Sequence, residues 1–181
     1  MENKRKQTGK KNRSSGALWE QIIESACRMY RDHGQAVIMK TPEPMRPIGK
    51  ADAYGRFMAC FTKKAQPDFQ GTLRGGKSIV FEAKYTDSYR IYRKVVSEAQ
   101  TDALDAHMGM GAECYVLVSF KFKYFFMIPW IDFRDMKSHY GRLYIEPDDM
   151  PHYEVSIRDG KLQFLDRRET DETEGSINQG E

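Results

Sequence analysis

The sequence predicts one α/β domain, and three observations carry that prediction. Helix-like and strand-like hydrophobic patterns alternate in the order helix, strand, insertion, two strands, helix, two strands, helix. A Gly-Gly pair joins two apolar strand patterns as a hairpin. The 181 residues, 40% of them hydrophobic, suffice for a single core. The domain is expected over residues 14–165, between a basic disordered arm at 1–13 and an acidic disordered tail at 166–181.

The first element is "SSGALWEQIIESACRMYRDHG". Ser15 is placed to cap a helix, Leu18, Ile22, Ala26, Met29 and Tyr30 recur at helical spacing, and Gly34 stops it. "QAVIMK" reads as a short strand closed by Pro42, Pro44 and Pro47, which lack backbone donors, and the segment 44–66 then interrupts the core. Asp68 to Lys84 reads as a hairpin turned at Gly75-Gly76, where positive φ costs little. "SEAQTDALDAHMG" follows as a helix with Ala99, Ala103, Leu104 and Met108 facing the core, then "ECYVLVSF" and "KYFFMIPW" as two strands. "IDFRDMKSHYG" reads as a helix ending at Gly141. Beyond it the patterning is weak, which suits a segment that wraps the surface or makes a dimer contact.

The net charge of +3 is unevenly laid out: residues 1–13 hold six Lys or Arg and one Glu, residues 166–181 six acids and two Arg. A basic arm that includes Arg13 suits a polyanion, because cations set against phosphates release condensed counterions. A plain solvated tail is the alternative reading. Cys27, Cys60 and Cys114 are isolated, odd in number and without C-x-x-C spacing, which indicates neither a disulfide framework nor a zinc or iron–sulfur site. No uncharged apolar run approaches ~18 residues, and the N-terminus has no signal-peptide pattern. A protein of the reducing cytoplasm, with no membrane partner, is expected.

Along "SIVFEAK", strand alternation puts Val80, Glu82 and Lys84 on one face and Ile79, Phe81 and Ala83 on the other. An outer-face salt bridge would by itself account for an E-x-K strand. Asp68 changes that reading. If Arg74 to Gly76 form a three-residue loop, Asp68 falls opposite Glu82; a two-residue turn would put them on opposite faces unless a bulge intervened. Two facing carboxylates repel and call for a cation between them. A hard divalent ion that takes oxygen ligands and keeps several waters, Mg²⁺ or in its place Mn²⁺, is the usual solution. Lys84 beside such an ion is placed to orient an attacking water, the chemistry of metal-assisted phosphodiester hydrolysis.

"PD" at 67–68 followed by "EAK" at 82–84 resembles the signature of the PD-(D/E)XK nuclease superfamily. With "AVIMKTPEP" (36–44), "DFQG" (68–71), "FEAK" (81–84) and "SEAQTDALDAHMGMGAECYVLVSF" (97–120), residues 12–130 resemble RecU, the Holliday junction resolvase of Gram-positive bacteria and their phages. The resemblance implies a restriction-endonuclease-like core: a central mixed sheet flanked by helices, with a stalk insertion, about 45–66, after the first strand. It implies a homodimeric, Mg²⁺-dependent endonuclease that cuts four-way DNA junctions with paired nicks, and recombination proteins as further partners. By the same resemblance Asp68, Glu82 and Lys84 are the central catalytic trio, and Asp68, Glu82 and Ala83 the metal-ligating positions. Glu20 matches a helix carboxylate, with Glu24 one turn away as a substitute, and Gln100 matches a glutamine of the helix after the active-site strand. Helical geometry alone leaves Glu20 equally a surface carboxylate paired with a neighbour such as Arg28.

Within the insertion, Arg46, Lys50, Arg56, Lys63 and Lys64 stand against one acid, Asp52, with Tyr54, Phe57 and Phe61 interleaved. Such cations bind phosphate and such aromatics stack on unpaired bases, as a stalk at the junction would require. Aromatics that merely anchor the insertion on the core are the alternative. The loop "YTDSYRIYRK" adds Arg90, Arg93 and Lys94 beside the catalytic strand as a backbone-tracking surface. Two other functions stay open at this level: a PD-(D/E)XK nuclease acting on ordinary duplex, and a junction-binding protein without catalysis.

Overall fold

The structure, a computed structural model, describes residues 2–61 and 66–166, with side chains from Ser14 onward except that of Phe61. A long helix α1 (Glu2–Asp32) leads into strand β1 (Ala36–Lys40). A separate hairpin follows, made of β2 (Met45–Ile48) and β3 (Met58–Phe61). Next come β4 (Phe69–Leu73), β5 (Ser78–Thr86), the short β6 (Ile91–Tyr92) and helix α2 (Glu98–Gly109). The chain continues through β7 (Glu113–Phe120), β8 (Tyr124–Pro129), α3 (Trp130–Arg134) and α4 (Met136–Tyr140). It closes with β9 (Tyr144–Ile145), β10 (Ile157–Arg158) and β11 (Lys161–Leu162).

Five strands form the central sheet in the order β1-β4-β5-β7-β8. Only β5 and β7 run parallel, and α2 connects them, as a parallel pair requires a crossover. The expected α/β core is therefore present: a mixed sheet flanked by helices, interrupted after its first strand by an insertion. One face packs Ile79 and Phe81 of β5 against α1 and the β11 region; the other packs Val80, Val116 and Val118 beneath α2 and α3. Glu82 lies on this second face, in the central strand.

Three details differ from the sequence pattern. The helix does not start at Ser15 but at Glu2, and its backbone takes in the segment read as a disordered arm. That segment is rich in Lys and Arg, good helix formers, and holds no proline to break the helix. The stripe that α1 buries is Trp19, Ile23, Ala26, Cys27 and Tyr30, while Leu18 is exposed. Trp19 decides this rotation by stacking on Phe125 at 5.4 Å and donating its indole N–H to the Leu117 carbonyl at 3.3 Å. On α2, Leu104 is buried but Ala99 is exposed, because the first turn presents Gln100 to the sheet instead.

The weakly patterned region after Gly141 is part of the core. Leu162, Phe164 and Leu165 are buried against α1, and Leu165 donates its N–H to the Tyr30 hydroxyl at 2.9 Å. The single helix expected at 131–141 is two short ones, parted at Asp135, whose carboxylate takes two hydrogen bonds from Arg134. All three cysteines are free, and among the described residues no helix is long and apolar enough to cross a membrane.

Candidate active site

The β4–β5 hairpin builds the site. Its ladder pairs Phe69 with Phe81 and Thr72 with Ser78, and Leu73 donates to the Lys77 carbonyl at 2.8 Å, leaving Arg74, Gly75 and Gly76 as the loop. Both glycines have φ near +90°, a conformation that side chains with a Cβ rarely adopt. Continuing this register by one residue puts Asp68 opposite Glu82 with no bulge. The three-residue loop, not the two-residue turn, is the one the chain adopts.

Glu82 is fully buried, at 0% exposure, in the middle of the central strand. Burial and the nearby Asp68 carboxylate push its pKa up to about 8. One of its oxygens is held from two sides: Oε2 accepts from Lys84 Nζ at 2.7 Å and from Gln100 Nε2 at 2.5 Å. The other, Oε1, is buried without a hydrogen-bond partner among the described residues. Buried polar atoms are rarely left so, because each forfeits the full desolvation cost of the group. Lys84 reaches Asp68 Oδ2 as well, at 3.8 Å. Asp68 Oδ2 in turn accepts the Ala83 N–H at 2.9 Å, so the strand that carries Glu82 and Lys84 also anchors the opposing carboxylate.

Gln100 owes its orientation to the start of α2. Ser97 caps the helix, its hydroxyl accepting the Gln100 N–H, while Gln100 Oε1 accepts the Ser97 N–H at 3.1 Å. With its oxygen committed to that capping box, the amide has only its NH₂ left to turn toward Glu82. The sequence marks Gln100 only through the family resemblance; Ser97, three residues earlier, is the capping-box signal that explains it.

Among the described residues, no hydrogen bond or ion pair joins Glu20 to this cluster. The Glu20 carboxylate pairs with Lys40 Nζ at 2.6 Å, rather than with Arg28. Lys40 in turn adjoins the site through the backbone, since the residue after it, Thr41, donates its N–H to the Asp68 carbonyl at 2.9 Å. The Thr41 hydroxyl is a second buried oxygen without a partner among the described residues, and nothing in the sequence singled it out. No group of three or more His, Cys, Asp or Glu side chains suited to a metal assembles among the described residues. The oxygen donors that the described residues bring together here are the two carboxylates, of which one oxygen is unpartnered. That set fits a hard ion that keeps most of its waters.

The predicted DNA-contacting residues divide. From Met45 to Ala59 every described side chain is exposed, Tyr54 at 84% and Phe57 among them, so these two aromatics do not anchor the insertion on the core. Lys50 is exposed. Arg46 donates to Cys60 Sγ at 3.1 Å and Arg56 pairs with Asp52 at 2.9 Å. Lys63 and Lys64 lie outside the described residues, as do the side chains of Arg13 and Phe61. Arg90 is exposed but paired with Glu146 at 2.6 Å. Arg93 corrects the expectation. Its guanidinium donates to the carbonyls of Arg134 and Val96 and to Thr101 Oγ1, and lies 4.9 Å over the Trp130 ring. Each of its three nitrogens makes a hydrogen bond inside the protein, so the half-buried side chain ties the scaffold together, a role that the sequence did not indicate.

A family model described as recombination protein U, RecU, matches residues 14–167. The chain belongs to the RecU family. The RecU match runs well past residue 130, where the resemblance in the sequence had faded, and takes in the segment that packs on α1. A Holliday junction resolvase RecU from Geobacillus sp. (strain WCH70) is 31% identical over 110 residues, 58% of this chain and 54% of the relative. The matched stretch thus spans about half of that relative's length. Among solved structures, Archaeoglobus fulgidus Hjc, described as a Holliday junction resolvase from an archaeal hyperthermophile, resembles the chain with a TM-score of 0.45 and 14% identity. That alignment covers 79% of this chain and 92% of the other.

Proposed function

We propose that this RecU-family chain is a structure-selective endonuclease that resolves four-way DNA junctions by metal-dependent phosphodiester hydrolysis, and that it acts as a homodimer because paired nicks need two active sites. The observation that carries the reading is the Asp68–Glu82 pair: two carboxylates opposed across a hairpin, one fully buried with an unpartnered oxygen, and a single lysine between them. With both acids ionised, Asp68, Glu82 and Lys84 carry a net negative charge in a largely dry site, an arrangement that a bound cation would balance.

Asp68, Glu82 and the Ala83 carbonyl would hold Mg²⁺, or Mn²⁺ in its place. When bound, the ion supplies charge stabilisation at the phosphoryl oxygens and a more acidic water. The protein's own groups do the rest. Lys84 stands between the two carboxylates and presents positive charge to the phosphate and the attacking water. Gln100 fixes Glu82 Oε2, which leaves Oε1 as the free ligand position. The exposed insertion, with Lys50 and Phe57, serves as the stalk that contacts the junction.

The test is cleavage of a labelled four-way junction beside a linear duplex of the same sequence. Junctions are cut and duplex is not; Asp68→Asn and Lys84→Ala each abolish cutting while binding the junction nearly as wild type does. Equal cutting of both substrates would defeat the resolvase reading, and full activity in either variant would remove these residues from the chemistry.

A further inference from the structure

The turn between β7 and β8 is built in an uncommon way. Lys121 and Phe122 both have φ of +55°, and Lys123 donates its N–H to the Phe120 carbonyl at 2.9 Å, closing a tight turn around two left-handed residues. A left-handed conformation is costly for a residue other than glycine. Asn-Gly would form a turn with positive φ at both positions without that cost. The two side chains therefore contribute something that the turn itself does not need. Phe122 packs on Tyr85, ring to ring at 4.5 Å, which accounts for the second position.

Packing does not account for the first. Lys121 is exposed and sets its ammonium 3.7 Å from the centre of the Tyr89 ring, itself half exposed. Lys123, also exposed, lies 4.8 Å over Tyr124. Neither lysine is within ion-pair distance of a carboxylate among the described residues, unlike Arg56, Arg90, Arg134 and Arg142, each of which is paired. The turn also lies beside the candidate site. Lys121 donates its N–H to the Thr86 carbonyl at 2.8 Å, at the end of the strand that carries Lys84. Thr86 is two residues beyond Lys84, roughly 7 Å at the rise of a strand.

We propose that the β7–β8 turn is a phosphate-binding platform, on which Lys121 and Lys123, held over Tyr89 and Tyr124, grip the backbone of a DNA strand as it leaves the active site. This rests on the nuclease reading above and adds to it a contact that lies on neither the insertion nor the basic N-terminal segment. The strained turn fixes where the two ammonium groups stand, and the tyrosine faces restrict the lysine stems, so less side-chain freedom is lost when phosphate binds.

The experiment measures binding of a fluorescent four-way junction to the full chain in EDTA, where no cleavage intervenes, across a range of salt. Lys121→Gln/Lys123→Gln weakens binding by roughly tenfold or more and makes the slope of log affinity against log salt shallower by about two. Lys121→Arg/Lys123→Arg restores both, and all three proteins share one melting temperature. The inference is overturned if the double glutamine variant matches wild type in affinity and slope while wild type binds tightly. It is also overturned if the arginine pair, equally stable, fails to restore binding. A wild-type chain that binds neither branched nor duplex DNA would instead bring down the nuclease reading itself, and the platform with it.

Discussion

At the scale of single residues, Glu82 concentrates the chemistry. Its pKa, raised to about 8 first by burial and then by Asp68, lies well above the ~4.3 of a glutamate in an unfolded chain. Between those values the native metal-free protein keeps a proton that the unfolded chain has lost. Stability is therefore fullest below the unfolded value, declines as pH rises toward about 8, and levels off above it. In EDTA, the melting temperature of wild type should fall across this window, and Glu82→Gln should lose that part of the decline. Parallel melting profiles for the two proteins from pH 5 to 8.5 would contradict the assignment. Glu82 and Lys84 were legible in the sequence, because strand alternation puts them on one face; Asp68 faces them only through the three-residue loop, one of the two turns the sequence allowed. Thr41 was not legible, since its place beside Asp68 depends on how β1 meets β4.

At the scale of elements, the β1–β4 contact shows what a short motif hides. Gly71, in "DFQG", reads as a family marker, but its φ is not left-handed and no turn demands it. The reason is proximity: a Cβ at Gly71 would stand 2.1 Å from the Val37 carbonyl oxygen and 2.6 Å from the Ile38 Cα, both backbone atoms that cannot step aside. Gly71→Ala should cost about 2–3 kcal/mol of stability in urea unfolding, at the upper end of the range for overpacking. A change below 0.5 kcal/mol would mean that β1 shifts freely over β4. The α1 stripe teaches the same lesson from the other side. Leu18 and Trp19 both begin an i, i+4 series, and periodicity cannot choose between them; the partner at Phe125 does.

At the scale of the whole molecule, Arg93 is where reading by charge fails. In sequence it stands with Arg90 and Lys94 in a polar, tyrosine-rich loop, as a DNA-contacting residue would. In the fold it ties three segments together: Val96 ahead of α2, Thr101 within it, and Trp130 and Arg134 on α3. Arg93→Ala should therefore lower stability by about 2–3 kcal/mol, as groups left unpaired in a part-buried network do. Junction affinity per folded molecule should stay within twofold of wild type. A stable variant with weakened DNA binding would return Arg93 to the interface. The insertion is the reverse case: its basic and aromatic composition left open whether it packed down or stood free, and the fold leaves Tyr54, Phe57 and Met58 exposed.

The sequence by itself determined the α/β order and the placing of Glu82 and Lys84 on one strand face, because both follow from local periods; it left the hairpin register open between a three-residue loop and a two-residue turn, and the structure decided for the former. Tertiary structure decided which face of α1 is buried, that Glu20 pairs with Lys40, that Arg93 is internal, and that the segment after Gly141 completes the core. Most of those outcomes depend on partners distant in the chain, 20 residues for Glu20 with Lys40 and 135 for Tyr30 with Leu165. No local period encodes such a partner; it is set by which surfaces meet when the sheet and helices close on one another.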